Sequence, residues 1–185
     1  GSPLPDALAV LVNRIARGDA PQAIRSSFLF AARLHPFLKP NGKLRPIACG
    51  EVYRRLTARL LLSSRQGPIG EYLRSSKQYG VATSSGLEAL VHASRLNVRT
   101  LAEGEVFMKV DFTNAFNSAH RSVFLREISR HFPEFMAFAS AGYDTPSFLY
   151  VGDEAIIRSE SGAQQGDWSR SSSRKCRFGG TPRSR

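Results

Sequence analysis

Glu105-Val106-Phe107-Met108-Lys109-Val110-Asp111-Phe112-Thr113-Asn114-Ala115-Phe116-Asn117 is the stretch on which the reading of this chain turns. Glu105 to Phe112 form a short, mostly apolar run, the pattern of a buried strand, with the acid Asp111 near its C-terminal end. A carboxylate at the end of a buried strand is held rigidly enough to face a hard metal ion, which prefers oxygen ligands. Taken alone, such an aspartate equally well caps the next turn. The company it keeps therefore decides.

Upstream, Leu34 to Leu38 and Lys43 to Ala48 are short apolar segments on either side of Lys39-Pro40-Asn41-Gly42. Asn-Gly between two such segments is a strong hairpin signal. Asp6 to Arg17 has the spacing of an amphipathic helix, with Leu8, Leu11, Val12 and Ile15 on one face and Gly18 as its stop. Glu51 to Ser64 reads as a helix with Val52, Leu56, Leu60 and Leu61 inside and Arg54, Arg55 and Arg59 on the surface. Ser84 or Ser85 is expected to cap a further helix to about Leu101, burying Leu87, Leu90, Val91 and Leu96. Downstream, helices are expected from about Arg121 to Arg130 and from Glu134 to Tyr143. A second hairpin follows, with Phe148 to Val151 and Ala155 to Ile157 flanking Gly152-Asp153-Glu154. The pattern predicts an α+β fold without internal repeats.

Composition narrows the classes. The formal charge is +11, and Trp168 to Arg185 contribute six basic residues and no acid, leaving 20 basic against 15 acidic side chains before them. A basic surface points to a polyanion, of which nucleic acid is the commonest. Cys49 and Cys176 are too far apart for a zinc motif and too few for a disulfide scaffold, and a reducing compartment is the default. No apolar run approaches the ~20 residues that span a bilayer. His35, His92, His120 and His131 are scattered, and no Ser-His-Asp set, phosphate-binding Gly-Lys loop or Cys/His cluster appears. Gly1-Ser2-Pro3 lacks both an initiator Met and a signal-peptide pattern, which suits a piece of a longer chain.

Three motifs in order then carry a resemblance: Leu38 to Ile47 with its cations, Lys109 to Asn117, and Ser161 to Asp167 with Gln164-Gln165-Gly166. Together, over about residues 25 to 167, they resemble the reverse transcriptases, above all those of non-LTR retrotransposons. The resemblance implies a partial right-hand polymerase within α+β, with fingers at 25–104 and the first part of the palm at 105–167; apolar periodicity gives a helical extension at 1–24, and the loss of aliphatic residues gives a basic disordered tail at 168–185. It implies that Asp111 ligates catalytic Mg²⁺ (Mn²⁺ possible), with the backbone carbonyl of Phe112 beside it, in a two-metal nucleotidyl transfer. Lys39 and Arg45 match the fingers cations that close over a deoxynucleoside triphosphate. Arg suits bidentate phosphate contact, and Lys acts as a point charge. Asn114 and Ala115 match backbone donors to the phosphates. Phe116 matches the ring that collides with a ribose 2′-hydroxyl, although core packing is the ordinary use of a Phe. Gln165 and Gly166 match the loop at the new base pair, where the backbone approaches closely. The partners so implied are an RNA or DNA template-primer and deoxynucleotides, in the nucleus or cytoplasm, with no membrane.

The family's next motif, a hairpin with adjacent aspartates that completes the metal site, is absent after Gln165-Gly166. Asp153-Glu154 lie before Gln165 and read as an ordinary solvated turn. Where the family continues Pro-Leu-Gly-Pro and an apolar helix, this chain gives Trp168-Ser169-Arg170-Ser171-Ser172-Ser173-Arg174. Serine TCN and arginine CGN codons read one base earlier give apolar residues and proline or alanine, so Trp168 to Arg185 is read as out-of-frame translation. The expectation is a fragment inactive by itself. Two other readings stand beside it: a non-catalytic nucleic-acid-binding remnant of a decayed element, and a piece of an RNA-dependent RNA polymerase. The last is disfavoured because such enzymes usually place a polar residue where Phe116 stands.

Overall fold

The first hairpin forms where Asn41-Gly42 predicts it, and everything else in the sheet is built on it. In the computed structural model, which describes residues 3–38, 40, 42–112 and 115–164, strand β1 (Ala32–Leu38) pairs antiparallel with β2 (Leu44–Gly50), in register from Ala32↔Gly50 to Leu38↔Leu44. Gly42 takes a φ of 75°, which a side chain would resist. The second hairpin, β3 (Ser147–Val151) with β4 (Glu154–Ser159), turns at Gly152-Asp153. Asp153 lies exposed and meets Arg33 at 3.3 Å, so these acids are a surface turn. The two hairpins join through a parallel pairing, Ala32↔Leu149 and Arg33↔Tyr150, giving one sheet of order β2-β1-β3-β4. The fold is α+β.

The helices pack chiefly on one another, and a π-turn over Arg25–Leu29 meets β3. α1 (Leu4–Ala16) is followed by a short α2 (Gln22–Ile24) and then by that π-turn. After β2 come α3 (Val52–Ser64), α4 (Gln66–Ser75) and α5 (Gly86–Arg99), then α6 (Ala115–Ser118), α7 (Arg121–His131) and α8 (Met136–Tyr143). Ile15, Leu29, Phe30, Ala58, Phe138 and Ala141 form the core, with Ala20 and Leu61 packed against it. Phe30 and Phe138 are the anchors, their ring centroids 5.6 Å apart. No described helix is long and apolar enough to cross a membrane.

Several expectations are corrected. The rotation of α3 differs from the reading by its leucines: Arg54, Thr57 and Ala58 are buried, while Val52 and Leu60 are exposed. Arg54, Thr57, Ala58 and Leu61 recur at i, i+3, i+4 and i+7, so they share one face. The small Thr57 and Ala58 let α1 approach closely, and that contact outweighs burial of Leu60. The helix α5 forms, but Leu87, Leu90, Val91 and Leu96 are exposed. Its expected cap is absent too: Ser85 makes no side-chain cap bond and sits at φ 53°.

Most consequential is the stretch 105–112. It takes neither strand nor helix form, and Val106, Met108 and Phe112 are 88%, 79% and 75% exposed. A strand is stabilised by its cross-strand neighbours, and no described strand pairs with this one. Apolar content alone does not hold it in the sheet.

Candidate functional site

The residues singled out by sequence divide into three groups. Lys39, Asn114, Gln165, Gly166 and the tail from Trp168 lie outside the described residues, as does the side chain of Arg45, whose backbone pairs with Phe37 in the β1–β2 ladder. Asp111 and Phe112 lie exposed in the irregular stretch before α6. Ala115 and Phe116 open α6, and the Phe116 side chain is half-exposed.

What the fold does bring together is α6 and the approach to Gln165. Residues 159–164 leave β4 as an arch that lies against α6. The Gly162 N–H donates to the Ala119 carbonyl and the Ala163 N–H to the Phe116 carbonyl, both at 2.9 Å. The Ser161 hydroxyl donates to the Asn117 carbonyl at 3.2 Å. Gly162 is required there twice over. Its φ is 72°, and a Cβ would overlap the Phe116 carbonyl and Asn117. Beside the arch, a cleft of about 300 Å³ opens over one face of the sheet. Leu34, Ala48, Leu149 and Ile157 line it from all four strands, and Asn117 and Ser161 form part of its polar edge.

A buried polar cluster anchors the far end of the arch. The Gln164 side-chain amide donates to the Phe30 carbonyl at 2.9 Å, and its oxygen accepts from Arg54 Nη2 at 2.6 Å. Arg54 Nη1 donates to the same Phe30 carbonyl at 3.2 Å, and its guanidinium lies 5.7 Å from the centre of the Phe30 ring. The Gln164 N–H donates to the Tyr143 hydroxyl at 3.2 Å. A charge buried this deeply is tolerated because oxygens and a π-face meet it. Gly50 is what makes the room, since any Cβ there would overlap the Arg54 guanidinium.

Arg121, the first residue of α7, grips the near end. Nε donates to the Gly162 carbonyl at 3.1 Å, and Nη2 to the Ser159 hydroxyl at 2.8 Å and the Ser161 carbonyl at 3.3 Å. Its guanidinium also lies 5.3 Å from the centre of the Tyr143 ring. Burial lowers the pKa of Arg121 from its usual value, and the charges of Tyr143 and Glu160 oppose that shift. The group stays protonated, as guanidinium does in proteins.

Arg54, Arg121 and Tyr143 were not among the residues marked by sequence motif, and Gly162 and Gln164 fell within the Ser161 to Asp167 motif without a role assigned to them. Two signals for them exist. Gly50 stands four residues before Arg54, at the approach of a large side chain. Arg121 opens a helix, where the dipole disfavours a cation unless something else holds it. For a divalent ion, the described residues offer Asp111 and no group of three or more His, Cys, Asp or Glu. They do not fit a two-ion centre, and no step is derived through one. Comparison of the chain with protein-family models, curated proteins and solved structures finds no match.

Proposed function

We propose that this chain is the fingers and first part of the palm of an RNA-directed DNA polymerase of the non-LTR retrotransposon type, a partial right hand. One observation supports the reading above the rest. Phe116 and Ala163, 47 positions apart, are joined by a backbone hydrogen bond of 2.9 Å. The first palm motif and the residues leading into Gln165-Gly166 are thus neighbours, as two motifs serving one nucleotide must be. In this reading Lys39 and Arg45 meet the triphosphate, and Ala115 and Asn114 present backbone donors. Phe116 excludes the 2′-hydroxyl, and Gln165 and Gly166 face the new base pair. In the intact enzyme Asp111 and the Phe112 carbonyl would be the groups of this chain to hold Mg²⁺ or Mn²⁺, whose contribution would be to offset negative charge at the reacting phosphate. The natural partners are an RNA or DNA template-primer and deoxynucleoside triphosphates, inside the cell.

By themselves the 185 residues bind nucleic acid and do not polymerise. A lone carboxylate holds Mg²⁺ weakly, because that ion keeps most of its waters unless several ligands replace them. Primer extension with Mg²⁺ or Mn²⁺ should give no product, while salt-sensitive binding to duplex and single strands persists. Extension that Asp111→Ala abolishes would overturn the inactive reading and reveal a second acidic ligand, with Asp167 the first to test. The family reading has its own test at the level of the gene. Sequencing downstream of the codon for Asp167 should reveal, in another frame, an apolar helix and an Asp-Asp hairpin. Their absence from every frame removes the polymerase reading and leaves a non-catalytic binding remnant.

A further inference from the structure

The arch of residues 159–164 is gripped from two sides by arginines that the first palm motif does not include. On its remaining side it is tied to residues 116–119 by the Gly162 and Ala163 N–H groups and the Ser161 hydroxyl. Glu160 and Ser161 are exposed, Gly162 gives the chain freedom, and past Ser159, the last residue of β4, the arch belongs to neither strand nor helix. A segment of this kind opens locally at small cost unless specific contacts hold it. The contacts here converge. Arg54 reaches from α3 to the Gln164 side chain, and Arg121 reaches from α7 to a hydroxyl and two carbonyls within four residues. Tyr143 links the two grips, since its hydroxyl takes the Gln164 N–H and its ring lies beneath the Arg121 guanidinium.

We infer that Arg121 is a positioning residue: its guanidinium sets the arch of residues 159–164 against Phe116 and Ala119, and so fixes where the chain enters Gln165-Gly166. The inference rests on the proposed nucleotide site for its functional meaning, although the grip itself is independent of it. The chemistry favours arginine over lysine. Three acceptors spread along a bend need a planar fork with several donors, whereas an ammonium satisfies them with one atom. A cation at the first residue of a helix is otherwise unfavourable against the dipole. The two carbonyls and the Ser159 hydroxyl offset that cost and explain its position. Arg121 is only half-buried, so its removal leaves the core of Phe30, Phe138 and Ala58 intact.

The test uses the full chain and Arg121→Gln and Arg121→Lys, with amide hydrogen exchange as the main readout. In Arg121→Gln the Gly162 and Ala163 amides, which now donate to Ala119 and Phe116, should exchange about tenfold faster or more. Amides of the β1–β2 hairpin should keep their rates. Arg121→Lys should restore protection only in part. Unchanged exchange at Gly162 and Ala163, or equal acceleration everywhere in the chain, overturns the inference. A second readout is the affinity of the parent and of Arg121→Gln for dTTP with Mg²⁺, expected to fall about tenfold on losing the grip. Selective loosening with unchanged dTTP affinity overturns the positioning role. If the parent itself fails to bind dTTP, the nucleotide site is lost as a reading, and the exchange rates still decide whether Arg121 holds the arch.

Discussion

Arg54 and Asp111 show how differently two charged residues are held in one small protein. Arg54 is almost wholly buried, with charge-assisted bonds to Phe30 and Gln164, whereas Asp111 is open to water. Hydrogen bonds to a charged group are worth roughly 1.5–3 kcal/mol each, and the loss leaves buried acceptors short of donors. Arg54→Met should therefore destabilise by about 3 kcal/mol, which for a chain of this size lowers the melting temperature by on the order of 10 °C. Asp111→Asn should leave the melting temperature within about 2 °C of the parent, as exposed substitutions generally do. Thermal unfolding of both variants checks the pair. An Arg54→Met chain as stable as the parent would mean that the sheet and α3 close over methionine equally well. The site residues were only partly legible for the same reason. Motif order marks Asp111 and Phe116 because the roles proposed for them depend on residue type. Arg54 and Arg121 act through geometry, which a motif does not express.

At the scale of elements, both hairpins were legible because turn residues between two short apolar segments mark the connection, which spans residues 39–43 in the first hairpin and Gly152-Asp153 in the second. Their union through the parallel pairing of Ala32 with Leu149 was not, since nothing local in either strand names a partner more than a hundred residues away. Helix α4 escaped for a different reason. Gly67, Pro68 and Gly70 argue against a helix, yet Pro68 falls in the first turn, where a missing N–H costs nothing. Packing then supplies what propensity lacks: Tyr72 lies against His131 at 4.4 Å and meets Phe132 edge-on at 5.5 Å between centroids. The reverse error occurs in α5 and in the stretch 105–112, where apolar spacing predicted burial that the described fold does not supply. Leu87, Leu90, Val91 and Val98 lie on one exposed face of α5. An uncovered apolar stripe of this kind favours self-association. Leu90→Gln with Val91→Gln should leave the melting temperature within about 2 °C and lower the tendency to associate in sedimentation. A large fall in stability would show that this face is covered in solution.

The whole molecule is a basic body followed in sequence by a still more basic stretch, and the partition of charge makes a quantitative expectation. Residues 168–185 hold six of the 26 basic side chains and no acid, so deleting them takes the formal charge from +11 to +5. Binding to nucleic acid without base contacts is driven by release of counterions, and log K falls with log salt at a slope of about −0.9 per phosphate neutralised on duplex DNA. If all six cations engage phosphates, their loss makes the slope shallower by about 5, and engagement of half of them by nearly 3. The remaining slope belongs to residues 1–167, and within it Lys39→Ala and Arg45→Ala should each remove about 1 if the hairpin tip touches the backbone. Titrations of the full chain, the 1–167 chain and the two hairpin variants, at several salt concentrations, separate these contributions. The nucleotide-site reading makes a narrower demand on the same data. Cations that close over a triphosphate contribute little to duplex affinity until nucleotide arrives. The two hairpin variants should then leave the slope of 1–167 unchanged without dTTP, and reduce dTTP affinity by about tenfold or more. A slope reduced by a full unit for each variant in the absence of nucleotide would instead assign the hairpin to the template backbone. The basic patch would then be a binding surface in its own right, and the fingers cations would no longer support a nucleotide site.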